Sequence, residues 1–133
     1  EIFDYLVKTH ADSFNGFMCF HLEEANWLLD QGVDNILVAY PYFRSLEFEK
    51  ITDHIKLNKK ISVMVDCIEH LEVLNEVGMK NYCHIPVCLD LDLSVRFPFI
   101  YFGVYRSSLK SEKDVEKLLC SINEMKHIKI FNR

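Results

Sequence analysis

The sequence predicts an α/β fold built on a parallel sheet, and three observations carry that reading. Apolar runs at residues 35–40, 61–65 and 85–91 each stop at a polar or proline-marked edge. Their β-branched and aliphatic residues show no polar face, which suits strands covered by helices. Between the runs, apolar residues recur at helical spacing behind capping signals.

Ile2, Phe3, Leu6 and Val7 share one helical face, so residues 1–10 are expected to be helical. Residues 16–20 form a short apolar strand, and Leu22, Ala25, Leu28 and Leu29 then recur at helical spacing as far as Gly32, a fit for a left-handed cap. Glu23 and Glu24 fall in that helix's first turn, where negative charge is favoured. Residues 35–40 are the second strand, which Pro41 closes because it has no N–H for a ladder.

Ser45 can cap a helix whose inner side carries Leu46, Ile51 and Ile55. The third strand, 61–65, runs into Asp66-Cys-Ile-Glu69, an acidic variant of a capping box, followed by Ile68, Leu71, Leu74 and Val77 and a closing Gly78. Residues 85–91 are the fourth strand, and an aromatic-rich stretch at 97–105 follows. Ser111-Glu-Lys-Asp114 is a second capping box, for a helix carrying Val115, Leu118, Leu119 and Ile122, and residues 128–131 are a fifth strand. Strand and helix alternating through five strands demand crossover connections and parallel pairing. Both a barrel and a doubly wound sheet satisfy that order.

With 133 residues, half of them hydrophobic, the chain is one domain's length with ample material for a core. Its 15 basic and 20 acidic residues give a net charge of −5 with the bases scattered, which removes the electrostatic footprint of a nucleic-acid binder. Five cysteines without a C-x-x-C pair read as reduced thiols of a cytoplasmic protein. No run approaches the roughly 18 to 20 apolar residues of a membrane span. Position 1 is not Met and the chain opens inside a helix, so the polypeptide is expected to be part of something longer.

The wording of the modules goes further. Gly-Phe-Met-Cys-Phe-His-Leu-Glu-Glu-Ala (16–25), Asn-Ile-Leu-Val-Ala-Tyr-Pro (35–41), Val-Asp-Cys-Ile-Glu-His-Leu-Glu (65–72), Ile-Pro-Val-Cys-Leu-Asp-Leu-Asp-Leu-Ser (85–94) and Phe-Gly-Val-Tyr-Arg-Ser-Ser-Leu (102–109) follow one another in order. In that ordered set the chain resembles the amino-terminal barrel of the alanine racemase and D-threonine aldolase superfamily, most closely its amino acid deaminase/aldolase members. The resemblance implies a (β/α)8 barrel of which this chain supplies about five strands, roughly the second to the sixth, as a single partial domain over 1–133. It also implies pyridoxal phosphate at the carboxyl ends of the strands, held covalently by a lysine on the first strand, and chemistry at the α-carbon of an amino acid that is D-configured or β-hydroxylated. The implied parent is a lyase or isomerase, with a homodimer as its expected assembly. Alternatives are a non-catalytic pyridoxal phosphate-binding barrel and an inactive truncated product. A phosphorelay receiver, the remaining rival, needs an acidic pair after its first strand, where this chain has Phe20-His21-Leu22.

Lys8-Thr9-His10 matches the context of the cofactor lysine in D-threonine aldolases and D-serine dehydratases, but its spacing argues against that role. Only seven residues separate Lys8 from Gly16, whereas a parallel crossover with its helix needs at least about 10 to 12. The attachment lysine is therefore expected upstream, leaving this chain inactive alone. Alternation along the fourth strand places Cys88, Asp90 and Asp92 on one face, and two carboxylates there need a cation or donors, for which Arg96 is the near candidate. The resemblance assigns cofactor-side roles to Asp90, Asp92 and Arg96, although Ser94 replaces the family's glycine and Arg96 falls one residue early. Tyr40 ends a strand on the side that the resemblance makes the active one, His21 follows a strand, and both are candidates for the pocket rim. Asp66 reads as a helix cap, and Arg106 with Ser107 and Ser108 as a possible anion binder. The histidines lack zinc-type spacing with the cysteines, and no metal ligand set is read.

Overall fold

A computed structural model describes residues 2–9, 14–40 and 45–131. Helix α1 (Ile2–Thr9) leads into β1 (Phe17–Cys19), α2 (Leu22–Asp30), β2 (Ile36–Val38), α3 (Ser45–Lys56), β3 (Ile61–Val65), α4 (Ile68–Asn81) and β4 (Ile85–Leu89). A two-stranded hairpin, β5 (Val95–Arg96) and β6 (Tyr101–Phe102), precedes α5 (Glu112–Glu124) and β7 (Ile128–Ile130). The five longer-range strands pair in parallel in the order β1-β2-β3-β4-β7.

Register explains how this sheet is covered. One row runs across it through Cys19, Val38, Val63, Val87 and Ile130. That row and its neighbours Ile36, Ile61 and Ile85 share a single core with Leu22, Ala25, Leu28, Phe48, Ile51, Leu71, Leu74 and Leu118 from the helices. The alternate row presents Met18, Leu37 and Ser62 on the other face, and there Met18 is 69 % exposed. Helices α2, α3, α4 and α5 touch one another in succession, so they form one layer on one face. A doubly wound sheet carries helices on both faces, whereas a barrel wall carries them on one. The chain is a five-stranded segment of a TIM-type barrel wall.

The expected strand at 61–65 is matched, while those at 16–20, 35–40 and 128–131 are each trimmed at their ends. The strand expected over 85–91 ends at Leu89, and Leu91 makes one isolated bridge with Leu109. Gly32 takes φ +86°, and the Gly32 and Val33 N–H groups close α2 on Leu29 and Leu28 carbonyls. Pro41 lies outside the described residues, as does the side chain of Ser45.

Gly78 is not the helix end that its residue type suggested. Helix α4 continues to Asn81, and Tyr82 takes the left-handed position at φ +54°. A β-carbon on Gly78 would stand 2.7 Å from His127 Cβ and 2.9 Å from the Cys83 carbonyl, so this glycine lets α4 approach the start of β7.

Candidate anion and cofactor site at the strand ends

The carboxyl ends of β2, β3 and β4 converge on a cavity of about 190 Å³ lined by Ala39, Tyr40, Met64, Val65, Asp66, His70, Asp90 and Arg106. Parallel pairing brings them there: the Asp90 N–H continues the ladder by donating to the Val65 carbonyl at 2.9 Å, and Tyr40 donates to Phe20 at 2.9 Å. Each strand thus delivers its first residues after the apolar run to one rim.

Arg106 comes from the segment before α5 and joins Asp90 side-on, Nε to Oδ2 at 3.1 Å and Nη2 to Oδ1 at 3.5 Å. Its Nη1 donates to the Tyr40 hydroxyl at 3.2 Å, and its guanidinium carbon lies 5.7 Å from the centre of the Tyr40 ring. Tyr40 is itself stacked on Phe20, with centroids 5.0 Å apart. The carboxylate and the phenol hold the guanidinium's pKa above its usual value, so it is a permanent cation. A guanidinium has five N–H donors. Those not engaged here are available to an anion in the cavity.

Ser107 and Ser108 strap this segment onto the strand ends. The Ser107 hydroxyl donates to the Asp90 carbonyl and the Ser108 hydroxyl to the Asp66 carbonyl. The Asp66 carboxylate accepts from the Ser108 N–H at 3.0 Å and stands 3.0 Å from His70 Nδ1. This is a correction to the reading of Asp66 as a cap. Cys67, not Asp66, is the N-cap of α4, and the Asp66 carboxylate is drawn to the strap and to His70 instead.

Burial lowers the His70 pKa against the opposing pull of Asp66 and Glu69, so the ring is mainly neutral near pH 7. Burial likewise pushes the Cys67 thiol up to about 11, opposed by a hydrogen bond with the His70 backbone and assisted by the Glu69 and Asp66 carboxylates.

Of the residues singled out in the sequence, Asp90, Tyr40, Asp66 and Arg106 line the cavity, and Asp92, Arg96, His21 and Lys8 do not. The cation beside Asp90 is Arg106, not Arg96. Arg96 lies in the β5–β6 hairpin, 4.8 Å over the Tyr101 ring, because the chain turns outward after Asp92. Asp92 bends back on its own loop and accepts from the Ser94 N–H at 2.9 Å, and hydrogen bonds with Ser94 lower its pKa. His21 precedes α2 and sits 3.3 Å from Glu23, with its side chain 54 % exposed. Lys8 lines a separate hollow with Gly16, Phe17, Gly32 and Asn35 at the amino ends of β1 and β2, the opposite end of the sheet from Asp90. Proximity in the chain favours Arg96, whereas the signal for Arg106 is the adjacent pair of hydroxyls that anchor it.

A helix-clad wall of parallel strands, with a fixed guanidinium among carboxylates at its carboxyl rim, is a partial barrel wall whose polar residues gather at the end where barrel folds bind their ligands. The family model described as "Alanine racemase, N-terminal domain" matches residues 4–132, and the chain belongs to that family. Its fold is similar to the crystal structure of D-threonine aldolase from Filomicrobium marinum, with TM-score 0.72 and 19 % identity over 91 % of this chain. The chain spans 30 % of that aldolase. No curated protein matches it. No helix among the described residues is long and apolar enough to cross a membrane.

Proposed function

We propose that the chain is the middle of a pyridoxal phosphate-dependent barrel enzyme of racemase, aldolase or deaminase type, acting on D-configured or β-hydroxylated amino acids. The observation that carries this reading is Arg106, held by Asp90 and Tyr40 at the strand ends of a chain that belongs to the alanine racemase amino-terminal family.

The donor set fits such a cofactor. Arg106 keeps N–H groups for an oxyanion on the cofactor or the substrate, and Asp90 fixes the guanidinium plane so that those donors stay oriented. Tyr40 supplies an aromatic wall, and Phe20 stacked behind it limits its rotation. His70, neutral and beside Asp66, is able to hold or give up a proton at the cavity wall. When bound, the cofactor supplies an electron sink for the amino acid's α-carbon. No lysine is among the described residues lining the cavity, and the covalent attachment is assigned in this reading to a first-strand lysine outside this chain. Alone, the chain then binds without turnover.

The test is a titration with pyridoxamine phosphate, which lacks the aldehyde and forms no adducts with surface lysines, followed by NMR of the labelled chain. The expected result is a shift of the Arg106 Nε–H and Tyr40 ring resonances. Shifts confined to the lysine-bearing hollow at Lys59, Lys60 and Lys129, or none, refute the assignment.

A further inference from the structure

Asp66, Cys67 and His70 stand where β3 runs into α4, and one ligand atom from each lies within 4.8 Å of the others. All three residues are half-buried. Asp66 Oδ1 and His70 Nδ1 are 3.0 Å apart, close to the roughly 3.3 Å that separates two ligands on a tetrahedral zinc ion. The Cys67 backbone is extended at φ −146° and ψ 166°, as the residue before the first turn of α4, and its sulfur lies beside the His70 and Glu69 end of that turn, where an ion would replace its present contacts.

We propose that this junction binds a zinc-class divalent cation, with Asp66, Cys67 and His70 as three protein ligands and water in the fourth position. The site shares Asp66 and His70 with the cavity wall, and with the ion bound His70 is a ligand rather than a proton carrier; the inference still stands apart from the cofactor reading in its test, because it uses neither Arg106 nor Asp90.

The donor chemistry selects the ion. A thiolate, an imidazole and a carboxylate together suit zinc and cobalt, whereas magnesium and calcium prefer all-oxygen sites. One thiolate and one carboxylate balance the two positive charges, which offsets the unfavourable placement of a cation at a helix amino end. Binding releases the Cys67 thiol proton to solvent, the imidazole coordinates through Nδ1 with its own proton on Nε2, and no electron moves. Asp66 is already oriented for this by the Ser108 N–H at 3.0 Å on its other oxygen, the kind of outer hydrogen bond that holds metal-binding carboxylates. The three residues fall within one helical turn of each other, as Asp-Cys-x-x-His. That spacing escapes a search for paired histidines and cysteines.

The test uses the whole 133-residue chain. In one arm, Zn²⁺ alone is added before alkylation and peptide mapping, with the exposed Cys120 as internal control. Zn²⁺ is expected to protect Cys67 while Cys120 reacts as before. In a second arm, Co²⁺ alone is expected to give a thiolate-to-cobalt charge-transfer band that Cys67→Ser abolishes, with affinity at least about tenfold weaker in His70→Gln. Serine is a good N-cap, so the Cys67→Ser chain keeps its helix. Equal alkylation of Cys67 with and without Zn²⁺, or a cobalt band that survives Cys67→Ser, overturns the proposal.

Discussion

Asp90 and Arg106 are 16 residues apart in sequence and hold each other through two hydrogen bonds at the mouth of the cavity. Between them the chain makes an excursion through the β5–β6 hairpin and closes at its base, where the Asp92 N–H donates to the Leu109 carbonyl at 2.9 Å. The ion pair therefore sits at the neck of a loop rather than within the core. Its side chains are 40 % and 18 % exposed for Arg106 and Asp90. A pair so exposed contributes little to stability, while charge-assisted hydrogen bonds to an anion are the strong ones in a site. Arg106→Gln should leave the urea midpoint nearly unchanged and weaken pyridoxamine phosphate binding by about tenfold or more. Calorimetric titration beside chemical denaturation separates the two effects.

Gly78→Ala tests the close approach of α4 to β7. Alanine gains about 1 kcal/mol of helix propensity over glycine, but its β-carbon meets His127 Cβ at 2.7 Å and the Cys83 carbonyl at 2.9 Å. Overpacking typically costs about 1–3 kcal/mol, and backbone on one side leaves little room for relief. The expected result is a net loss in the urea unfolding midpoint. A gain would mean that the helix moves away freely.

The capping box of α5 gives a prediction with a pH sign. Ser111 accepts from the Asp114 N–H, and the Asp114 carboxylate accepts from the Ser111 N–H at 3.0 Å. Ser111→Ala is expected to cost about 1 kcal/mol. The hydrogen bond from the Ser111 side chain, with further ones from the backbone, holds the Asp114 pKa below its usual 3.8. Its contribution is complete above that unfolded value and disappears as pH falls through the lower folded one. Unfolding followed from neutral pH down through 3.8 should show the cost of Ser111→Ala shrinking at the acid end.

Met18 and Phe20 are 69 % and 67 % exposed on the face of the sheet opposite the layer of α2 to α5. Side chains of this size on an uncovered strand edge favour association. The isolated chain is expected to self-associate in light scattering, and Met18→Lys to shift it towards monomer. A monodisperse monomer at high concentration for the unmodified chain contradicts the expectation.

Much of the fold was legible because its signals are local. The buried strand 61–65 was readable from an unbroken β-branched run, and the Ser111–Asp114 box from four residues. Gly78 misled because the requirement it meets lies in His127, far along the chain, while the left-handed cap fell to Tyr82, a residue type that rarely takes it. The choice between barrel and doubly wound sheet was not open to periodicity either. Both need apolar strands, and only the register shows the helices gathered on one face.

The site was half legible for the same reason. Asp90 and Tyr40 stood out as polar residues ending apolar strands, but the cation that meets them is set by a tertiary return of the chain after the hairpin. Nearness in sequence favoured Arg96, which the outward turn carries to Tyr101. Asp66 was assigned to the backbone of α4, yet Ser108, 42 residues away, claims its carboxylate.

Because the sheet runs β1-β2-β3-β4-β7 among the described residues, β1 and β7 are the lateral margins of the ladder, and each keeps a line of backbone donors and acceptors already set for a parallel neighbour. A strand-helix unit added at either margin inherits its direction and its inward-facing residues from the existing rows, without disturbing a single pairing inside. The wall is extensible by accretion, so a designer seeking to close the cylinder can graft units at its two margins and leave the rim chemistry untouched.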